Sequence, residues 1–442
     1  MKLEEVRKEI DQIDEQMLDL FLRRMDAAAQ VARIKAQTGQ PVYNQQREQE
    51  ILTDVTKKAG AYAAPARIVF QTMMDVSRAL QQNLLGGGKE LLEQIEHADA
   101  APLRERVDAV IACPGTKGSF SSLAAKNLFP DSTLAFYPRF YDVFDAVKKG
   151  DATFGVVPVE NSTAGSVEEV YDLLLKHRFF IAGEEMLPID HCLCGVPGAT
   201  LSSIRRIYSH PQGLNQCRGI IDACSAEAVA CDNTAIAADL VAKEGDPANA
   251  AICSAQAARK NGLVILKKPA QDIGGNTTRF IVISRTLIIE PEADKISLSF
   301  SLPHVTGSLH RILSRFAACG LNLTKIESRP MENSRFEYLF YLDFTGSARA
   351  KDTLSLLCAL SGDLPEFTFL GNYAARRRTF DPFARRPPTV KARRMRRKSL
   401  RSAFASRLSN TNPRISTMTA AISKKMDANN MMEIPPDCEY MF

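Results

Sequence analysis

The sequence predicts a multidomain protein: an all-α helical module, an α/β domain, an α+β ferredoxin-like domain and finally a disordered basic tail. Three observations lead to this prediction. The chain has 442 residues, which is more than one hydrophobic core usually organises. Apolar residues repeat at helical spacing before about residue 86, whereas short apolar runs alternate with helical segments after residue 106. From residue 295 the signals follow the order strand, helix, strand, strand, helix, strand.

A long N-terminal helix is the clearest element. Residues 3–38 lack Gly and Pro, and Gly39-Gln40-Pro41 marks a helix end. Apolar residues recur at steps of three and four along this stretch, which is a heptad seam, but Arg24 occupies one slot. A seam of this length cannot be buried within a short module, so we expect a second copy of the chain to cover it.

Two shorter helices complete the first module. They are predicted over about 44–58 and 65–84, and Gly86-Gly87-Gly88 then interrupts the helical pattern. We therefore assign residues 1–85 to an all-helical module and residues 86–104 to a linker.

Cations within the seam point to a binding site for an anion. Arg24 is costly in an apolar seam unless something pairs with it, although a polar residue that sets the register of a coiled coil is the alternative. Lys35 follows about three helical turns later on the same face, and Ala27-Ala28-Ala29 leaves space beside both cations. Arg7 is about 25 Å away along the helix, so it can contribute only from a second copy.

Residues 106–284 have the alternating pattern of an α/β domain with a mostly parallel sheet. Three polar clusters stand at the ends of predicted strands: Lys117–Ser121, Pro158–Gly165 and Gly274–Phe280. Open α/β sheets bind their ligands at polar loops of this kind. The sequence contains no dinucleotide fingerprint, P-loop or cluster of metal ligands, so we expect no cofactor and no metal.

The ferredoxin-like domain is assigned to residues 293–373 and the tail to residues 374–442. Residues 376–442 contain 16 Lys and Arg against 5 Asp and Glu, so this segment carries more positive charge than the whole chain, whose net charge is +5. Little periodicity remains there, which predicts disorder. The basic run at 391–398 could bind nucleic acid without sequence preference, but we favour a solvated extension and expect no specific nucleic-acid partner.

Composition excludes several classes of protein. No stretch approaches the roughly 18 uncharged apolar residues that span a bilayer, and the N-terminus is charged from its second residue. The ten cysteines form no Cys-x-x-Cys pair, which is typical of reduced thiols rather than disulfides or zinc ligands. We therefore expect a cytoplasmic protein without a membrane partner.

The N-terminal module resembles the small all-helical chorismate mutase. The resemblance rests on the positions Arg7, Arg24, Lys35, Arg47, Glu48, Ser77 and Gln81. It implies the rearrangement of the dianion chorismate to prephenate, which is pericyclic and needs no nucleophile or metal.

The same resemblance implies a role for each residue. The substrate carboxylates bind to Arg24, Arg47, Ser77 and, from a second copy, Arg7. Lys35 and Gln81 donate to the ether oxygen, and Glu48 accepts from the ring hydroxyl. Asn44 stands where the family often has Asp, and its amide oxygen can still accept from a substrate hydroxyl.

Residues 106–284 resemble prephenate dehydratase in the three polar clusters, in Ser209-His210-Pro211-Gln212 and in Gln216-Cys217. The resemblance implies two α/β lobes over residues 105–285, with the site in the cleft between them. It also implies that prephenate loses its ring hydroxyl and carbon dioxide to give phenylpyruvate, with aromatisation as the driving force.

This second resemblance also assigns roles. Thr278 is the catalytic hydroxyl, with Asn161 and Gln216 as polar partners; Glu160 is a candidate acid or base, and Arg279 a candidate clamp for a carboxylate. Further substrate contacts are expected from Ser119, Ser121, Thr163, Ser209 and Phe280. His191 and His210 are minor candidates for a general acid, because a lone His is more often a structural hydrogen-bond partner.

The third domain resembles an ACT domain, an amino-acid-sensing unit, in Gly307-Ser308-Leu309 and Glu327-Ser328-Arg329-Pro330. In dehydratases of this type these elements bind phenylalanine at an interface between subunits. The resemblance therefore implies feedback inhibition by L-phenylalanine and a homodimer or higher homo-oligomer. His310 departs from the aliphatic residue of the bacterial two-activity enzyme, and a purely structural ACT dimer is the alternative.

Together these resemblances indicate a bifunctional chorismate mutase–prephenate dehydratase that binds chorismate, prephenate and L-phenylalanine. A mutase fused to a prephenate dehydrogenase is disfavoured because the dinucleotide fingerprint is missing. A sensor without catalysis and a dehydratase that uses arogenate remain the alternatives.

Overall fold

The computed structural model of the chain describes residues 2–302, 304–330 and 338–375. The tail that is predicted to be disordered lies outside these residues from Arg376 onward. Within the described residues, no helix is long and apolar enough to cross a membrane. The prediction of a helical region followed by an α/β domain is confirmed.

The N-terminal module has three helices: α1 (Leu3–Thr38), α2 (Gln45–Lys58) and α3 (Ala63–Leu84). α1 ends at Gly39, whose φ of 68° lies in the left-handed region that favours glycine. α2 begins at Asn44, whose side chain accepts a hydrogen bond of 3.0 Å from the backbone N–H of Arg47. α3 packs against both other helices, and α4 (Lys89–Glu96) follows the Gly-rich break.

The apolar seam of α1 does not face α3. The buried residues of α1 are Ala28 and Ala32. Ile13 and Leu20 of the predicted seam are instead 48% and 59% exposed. Small side chains on the packed face allow α1 and α3 to approach closely. The seam is therefore left open within one chain.

The first lobe of the α/β domain contains six strands: β1 (Val110–Pro114), β2 (Thr133–Tyr137), β3 (Phe154–Asn161), β4 (Gly165–Ser166), β5 (Phe180–Pro188) and, much later in the chain, β11 (Thr277–Ser284). Their order is β2-β1-β3-β11-β5, with β4 paired to β3. β1 runs parallel to β2 and β3, whereas β11 runs antiparallel to both of its neighbours. The helices that pack against this sheet are α5 (Phe120–Leu128), α6 (Phe140–Lys149) and α7 (Glu168–His177).

The second lobe contains five strands: β6 (Cys192–Gly195), β7 (Arg206–Ser209), β8 (Glu227–Ala230), β9 (Asn249–Cys253) and β10 (Val264–Lys267). Its helices are α8 (Pro211–Gln216), α9 (Arg218–Ala223), α10 (Thr234–Glu244) and α11 (Ala255–Lys260). The strand order is β10-β6-β9-β7-β8, and β6 is antiparallel to both neighbours. Both sheets are mixed, so the prediction of a mostly parallel sheet is wrong. The chain leaves the first lobe after β5 and returns through β11, which lies between β3 and β5.

The third domain has the elements β12 (Lys295–Leu302), α12 (Ser308–Ala318), β13 (Leu323–Pro330), β14 (Tyr338–Thr345), α13 (Lys351–Asp363) and β15 (Thr368–Tyr373). The sheet is antiparallel in the order β13-β14-β12-β15, which is the ferredoxin-like arrangement. Its helices cover one face, where Phe300 and Phe316 share a core with Ile95 of α4. The opposite face meets the first lobe, where Tyr373 shares a core with Ile181.

The contact between β15 and β5 is close enough to require glycine. A Cβ atom added to Gly371 would lie 2.2 Å from the backbone carbonyl oxygen of Ile181. A backbone atom inside a sheet cannot move aside as the end of a flexible side chain can. Gly371 therefore sets how closely the ferredoxin-like domain approaches the first lobe.

We expect Gly371→Ala to destabilise the chain by about 1–3 kcal/mol, because the new methyl group would push β15 away from β5. The midpoint of thermal unfolding, followed by circular dichroism, should fall. Gly274→Ala is the matched control, since a Cβ atom there meets no described atom within 4 Å. Equal midpoints for the two variants would contradict the close contact.

Candidate functional site

Groups of the helical module converge on the Arg24 guanidinium. Its Nη1 donates to the Ser77 hydroxyl at 2.5 Å and to the Met73 carbonyl oxygen at 3.1 Å. Both acceptors lie on α3, one helical turn apart, and the Ser77 hydroxyl donates to the same carbonyl at 2.7 Å. Partial burial lowers the pKa of Arg24. The structure thus brings together two residues that the sequence assigned to the mutase site.

Lys35 and Gln81 contribute polar groups from the same two helices. Lys35 Nζ donates to the Val42 carbonyl oxygen at 2.6 Å. Gln81 is buried, and its Oε1 has no hydrogen-bond partner among the described residues. A buried amide with an unpaired polar atom marks a place where a polar ligand group can bind.

Arg78 is a cation of this module that the sequence reasoning missed. It donates to both carboxylate oxygens of Glu48, at 2.6 and 2.7 Å, and also contacts Asp75. Burial raises the pKa of Asp75, and the charge of Arg78 opposes that shift. Because each carboxylate oxygen can accept two hydrogen bonds, Glu48 retains capacity to accept from a hydroxyl. The signal for Arg78 was its spacing of three from Gln81, which places both on one helix face.

Three predicted mutase residues are engaged elsewhere within one chain. Arg7 is exposed and pairs with Glu4 at 3.4 Å. Arg47 is exposed and pairs with Glu50 at 3.3 Å. The Asn44 side chain caps α2. These contacts are local and do not join the Arg24 site.

A cleft of about 630 Å³ lies between the two lobes of the α/β domain. Its walls come from the loop after β3, from α8 and its cap, and from the segment before β11. The lining residues are Thr163, Ala164, His210, Pro211, Gln212, Asn215, Gln216, Gln271, Asp272, Ile273 and Asn276. Amides and hydroxyls therefore provide most of the polar groups along these walls.

The pairing of β3 with β11 places Asn161 opposite Thr278. Both side chains are buried behind the lining of the cleft, next to Thr163 and Asn276, which do line it. Asn161 Nδ2 donates to the Thr278 hydroxyl oxygen and to Asn276 Oδ1, both at 2.8 Å. Asn161 Oδ1 accepts from the backbone N–H groups of Thr163 and Ala164, both at 3.0 Å, which determines the orientation of the amide. The Thr278 hydroxyl donates to no described residue, so its hydrogen is uncommitted within the part of the chain that the structure describes.

Gln216 connects this cluster to the second lobe. Its Nε2 donates to the Thr163 hydroxyl at 3.2 Å, and its Oε1 accepts from Asn276 Nδ2 at 3.0 Å. The same Oε1 lies 3.1 Å from His191 Nε2. Asn276 was missed by the sequence reasoning, although it stands two residues before Thr278 in a polar cluster that had been singled out. The structure thus brings Thr278, Asn161, Thr163 and Gln216 into one network.

The two histidines near the cleft are structural hydrogen-bond partners. Gln216 Oε1 accepts a hydrogen bond from Asn276, which identifies it as the amide oxygen, so His191 donates to it from Nε2. The other ring nitrogen of His191, Nδ1, is buried without a partner among the described residues. Burial lowers the pKa of His191, which favours the neutral ring. His210 Nδ1 accepts from the backbone N–H of Gln212 at 3.2 Å and caps α8; burial also lowers its pKa.

Arg279 and Glu160 do not reach the cleft, which corrects the roles expected for them. Successive side chains of a strand point to opposite faces, so Arg279 faces away from the side of β11 that carries Thr278. Its guanidinium donates to Glu184 at 2.8 Å, to Asp343 at 2.6 Å and to the Tyr373 hydroxyl at 2.7 Å. Glu160 pairs with Arg279 in register and lies on that same side. Neither is placed to clamp a substrate carboxylate or to act as acid or base in the cleft.

Other predicted contacts are occupied inside the lobes. Phe280 is buried in the core of the first lobe. Ser209 is fully buried, and its hydroxyl donates to the Ile252 carbonyl oxygen at 2.7 Å. Ser119 caps α5 by accepting from the backbone N–H of Ser122 at 3.3 Å, and Ser121 is buried in the first turn of that helix. The structure does not bring these side chains to the walls of the cleft.

The predicted effector residues are divided between two places. Gly307, Ser308 and Leu309 line a cavity of about 450 Å³ at the start of α12. Glu327 contacts Ser166 of the first lobe, and Arg329 donates to the Glu168 carbonyl oxygen and pairs with Asp172. Ser328 and Pro330 are exposed at alternate positions of β13. Within one chain, the second group therefore contacts the first lobe rather than this cavity.

Comparison with known proteins identifies a family for the helical module and for the α/β domain. The family model described as Chorismate mutase type II matches residues 6–82, and the one described as Prephenate dehydratase matches residues 111–287. A bifunctional N-acyl-homoserine lactone acylase/prephenate dehydratase of Komagataeibacter europaeus is 35% identical over 283 residues, which are 63% of this chain and 99% of that protein. The chain belongs to the prephenate dehydratase family and carries a chorismate mutase type II domain ahead of the dehydratase.

A plant protein and a solved bacterial structure are also similar. Arogenate dehydratase 3, chloroplastic, of Arabidopsis thaliana is 38% identical over 289 residues, covering 60% of this chain and 66% of that protein. The chain thus spans about two thirds of the length of that relative. The crystal structure of a prephenate dehydratase in complex with L-Phe from Arthrobacter aurescens has a TM-score of 0.56 at 30% identity, covering 67% of this chain and 99% of that one.

We expect the wild type to lose stability more steeply than His191→Gln as the pH falls below about 6.5, the ordinary pKa of His. The pKa of His191 is lowered in the folded state, so the unfolded state binds more protons there and the stability present above that pH is lost on acidification. The midpoint of urea unfolding is measured at several pH values, and its slope against pH is compared between the wild type and His191→Gln. His177 and His210, whose pKa values burial also lowers, are common to both proteins. Parallel slopes would contradict a neutral, buried His191.

Proposed function

We propose that this chain is a bifunctional enzyme of phenylalanine biosynthesis, which converts chorismate to prephenate and prephenate to phenylpyruvate under feedback inhibition by L-phenylalanine. The Thr278 hydroxyl carries this proposal. Asn161 joins it to Asn276 in the wall of the cleft and holds its oxygen at 2.8 Å, and its hydrogen is uncommitted among the described residues. The matches to the two family models support the two activities.

In the dehydratase reaction the bond between the ring and its carboxylate breaks, carbon dioxide leaves, and the freed electron pair completes the aromatic ring as the ring hydroxyl departs. The departing oxygen takes up a proton from solvent and becomes water. Thr278 donates a hydrogen bond to that oxygen, while Asn161 donates to the Thr278 oxygen and holds it in place. Asn276, which is itself bonded to Gln216, accepts from Asn161 and orients it. Donors that are oriented in advance stabilise developing negative charge without rearranging during the reaction.

For the mutase reaction we propose a dimeric site. Arg24 and Ser77 bind a substrate carboxylate, and Lys35 and Gln81 donate to the ether oxygen as its negative charge develops. Arg7 reaches this site from a second copy, in which α1 runs antiparallel. The exposed seam of α1 supports a dimer, because such a long apolar stripe is stabilised when another chain covers it.

The ferredoxin-like domain is proposed to be an ACT domain that binds L-phenylalanine at the Gly307 cavity. Gly307 has a φ of 83° and precedes α12. The Ser308 N–H donates to the Val305 carbonyl oxygen, and the Leu309 and His310 N–H groups of the same turn face a carboxylate at the positive end of the helix. Leu302, Leu309 and Phe340 line the same cavity and offer apolar contacts to an aromatic side chain. The similar bacterial structure, which is a complex with L-Phe, supports this effector.

A dehydratase that uses arogenate is the second candidate. Arogenate carries an amino group where prephenate has a keto group, and Asp272 contributes a carboxylate to the wall of the cleft. The plant relative named arogenate dehydratase supports this candidate. Supplying prephenate and arogenate separately at equal concentration, and measuring phenylpyruvate and phenylalanine, distinguishes the two. A protein that binds both substrates but forms neither product would be a sensor without catalysis.

Thr278→Ala should lower the dehydratase kcat roughly 100- to 1,000-fold, the cost of removing one oriented donor, and leave mutase turnover unchanged. Thr278→Ser should retain most of the activity because the hydroxyl remains. Chorismate consumption and phenylpyruvate formation from added prephenate are measured on the same preparation. Thr277→Ala is the control, because its side chain points to the opposite face of β11. Loss of both activities in Thr278→Ala would contradict separate sites.

Lys35→Ala should lower mutase turnover at least about 100-fold, because the ether oxygen loses a charged donor. Dehydratase activity on added prephenate should not change. The proposed dimer, whose molar mass is measured by light scattering, should also remain. Lys58→Ala is the control: this lysine of α2 is exposed and pairs only locally with Asp54. Near-wild-type mutase turnover in Lys35→Ala would remove Lys35 from the site.

A further inference from the structure

A buried cluster of charges joins β11 to the ferredoxin-like domain. Arg279 is 5% exposed and donates through all three guanidinium nitrogens. Glu184 on β5 accepts from Nε, whereas Asp343 on β14 and Tyr373 on β15 accept from Nη1 and Nη2. One side chain of the catalytic strand is therefore bonded to its own sheet and to two strands of another domain.

The acceptors of this cluster are held by further bonds. Ser297 donates to Asp343 at 2.5 Å and shares a hydrogen bond of 2.6 Å with the Tyr373 hydroxyl. Lys295 Nζ lies 2.8 Å from Glu184 and 3.8 Å from Asp343. Both Lys295 and Ser297 belong to β12. Removing one partner from such a set leaves a buried charge uncompensated, so the members hold one another in place.

The electrostatics agree with a tightly paired cluster. Burial acts to raise the pKa of Asp343, but the charges of Arg279 and Lys295 outweigh it and hold that pKa below its ordinary value. Burial likewise acts to lower the pKa of Arg279, and the neighbouring acidic groups more than reverse this effect. Arg279 and Asp343 therefore both remain ionised.

The two edges of β11 differ beside Thr278. The pairing of β11 with β3 shifts register between Arg279 and Phe280, which interrupts the ladder of backbone hydrogen bonds on that edge. The pairing with β5 continues without a shift from Thr277 to Val282, so the side-chain bonds of Arg279 add to backbone pairing that is regular on one edge alone. Arg279 is the residue between Thr278 and that shift.

We propose that Arg279 is a positioning residue for the dehydratase reaction: it holds the backbone of Thr278 in place, and Asp343 of the ferredoxin-like domain holds Arg279. This inference rests on the proposed dehydratase activity. Arg279 acts through its neighbour and does not touch the substrate, so its loss affects kcat more than KM. A small displacement of a reacting group is enough to slow catalysis strongly.

The test compares kcat and KM on prephenate for the full chain and its variants. Arg279→Gln should lower kcat roughly 100-fold with KM changed by less than about threefold. Arg279→Lys should have a kcat about tenfold higher than that of Arg279→Gln, because lysine keeps the positive charge but cannot bond to Glu184, Asp343 and Tyr373 together. Asp343→Asn should lower kcat about fivefold. The double variant, which combines Arg279→Gln with Asp343→Asn, should be no slower than Arg279→Gln alone, because the two residues act through each other.

Asp363→Asn is the matched control, because it breaks a half-buried ion pair with Arg315 in the same domain, at 2.9 Å, away from the first lobe. Its kcat should stay within about twofold of wild type. Mutase turnover and the thermal midpoint of each variant establish that the chain is folded. A wild-type kcat in Arg279→Lys and Asp343→Asn, or multiplied losses in the double variant, would overturn the inference. The wild-type rate in the same assay reports separately on the proposed function.

Discussion

Strand β11 imposes the constraint on which the rest of the structure depends. It returns from the second lobe and pairs between β3 and β5. Because successive side chains of a strand point to opposite faces, Thr278 lies on the side of the amide network that reaches the cleft, and Arg279 faces the ferredoxin-like domain. A one-residue slip of β11 would exchange these two positions. The strand thereby joins a candidate catalytic hydroxyl and an interdomain charge cluster through a single peptide bond.

The cleft orients its groups with amides rather than with ion pairs. The Asn161, Asn276 and Gln216 side chains donate and accept in sequence, and each bond determines which end of the next amide is a donor. Such networks are specific because a reversed amide would face a donor with a donor. Charge is concentrated instead on the other face of the sheet, where Arg279 and Asp343 are buried together. A neutral, oriented network suits a reaction in which charge develops on the substrate.

The ferredoxin-like domain is anchored to the first lobe and also contains the cavity at the start of α12. β12 carries Lys295 and Ser297 of the charge cluster, and its last residue, Leu302, lines the cavity beside Gly307. Leu302 lies five residue positions after Ser297 in the extended strand, about 17 Å along it. One strand thus passes from the proposed phenylalanine site to the residues that hold β11.

Much of this arrangement could be predicted from the sequence, and the failures have physical causes. Helical spacing and Gly39 predicted α1, and the resemblance to prephenate dehydratase predicted the meeting of Asn161 with Thr278. The side on which Arg279 lies could not be read from its motif, because it depends on which domain covers each face of β11. The mixed sheet was missed because β11 pairs with β3 across a long stretch of intervening chain. Arg78 was missed because its acceptor, Glu48, lies on another helix.

A crystal structure of Thr278→Ala with prephenate bound would test the central claim most directly. Our account predicts the ring hydroxyl of prephenate within roughly 3 Å of the place that the Thr278 hydroxyl leaves, a hydrogen-bond distance. It also predicts that Arg279 remains bonded to Glu184 and Asp343, away from the ligand. A prephenate carboxylate bound to Arg279 would contradict the account.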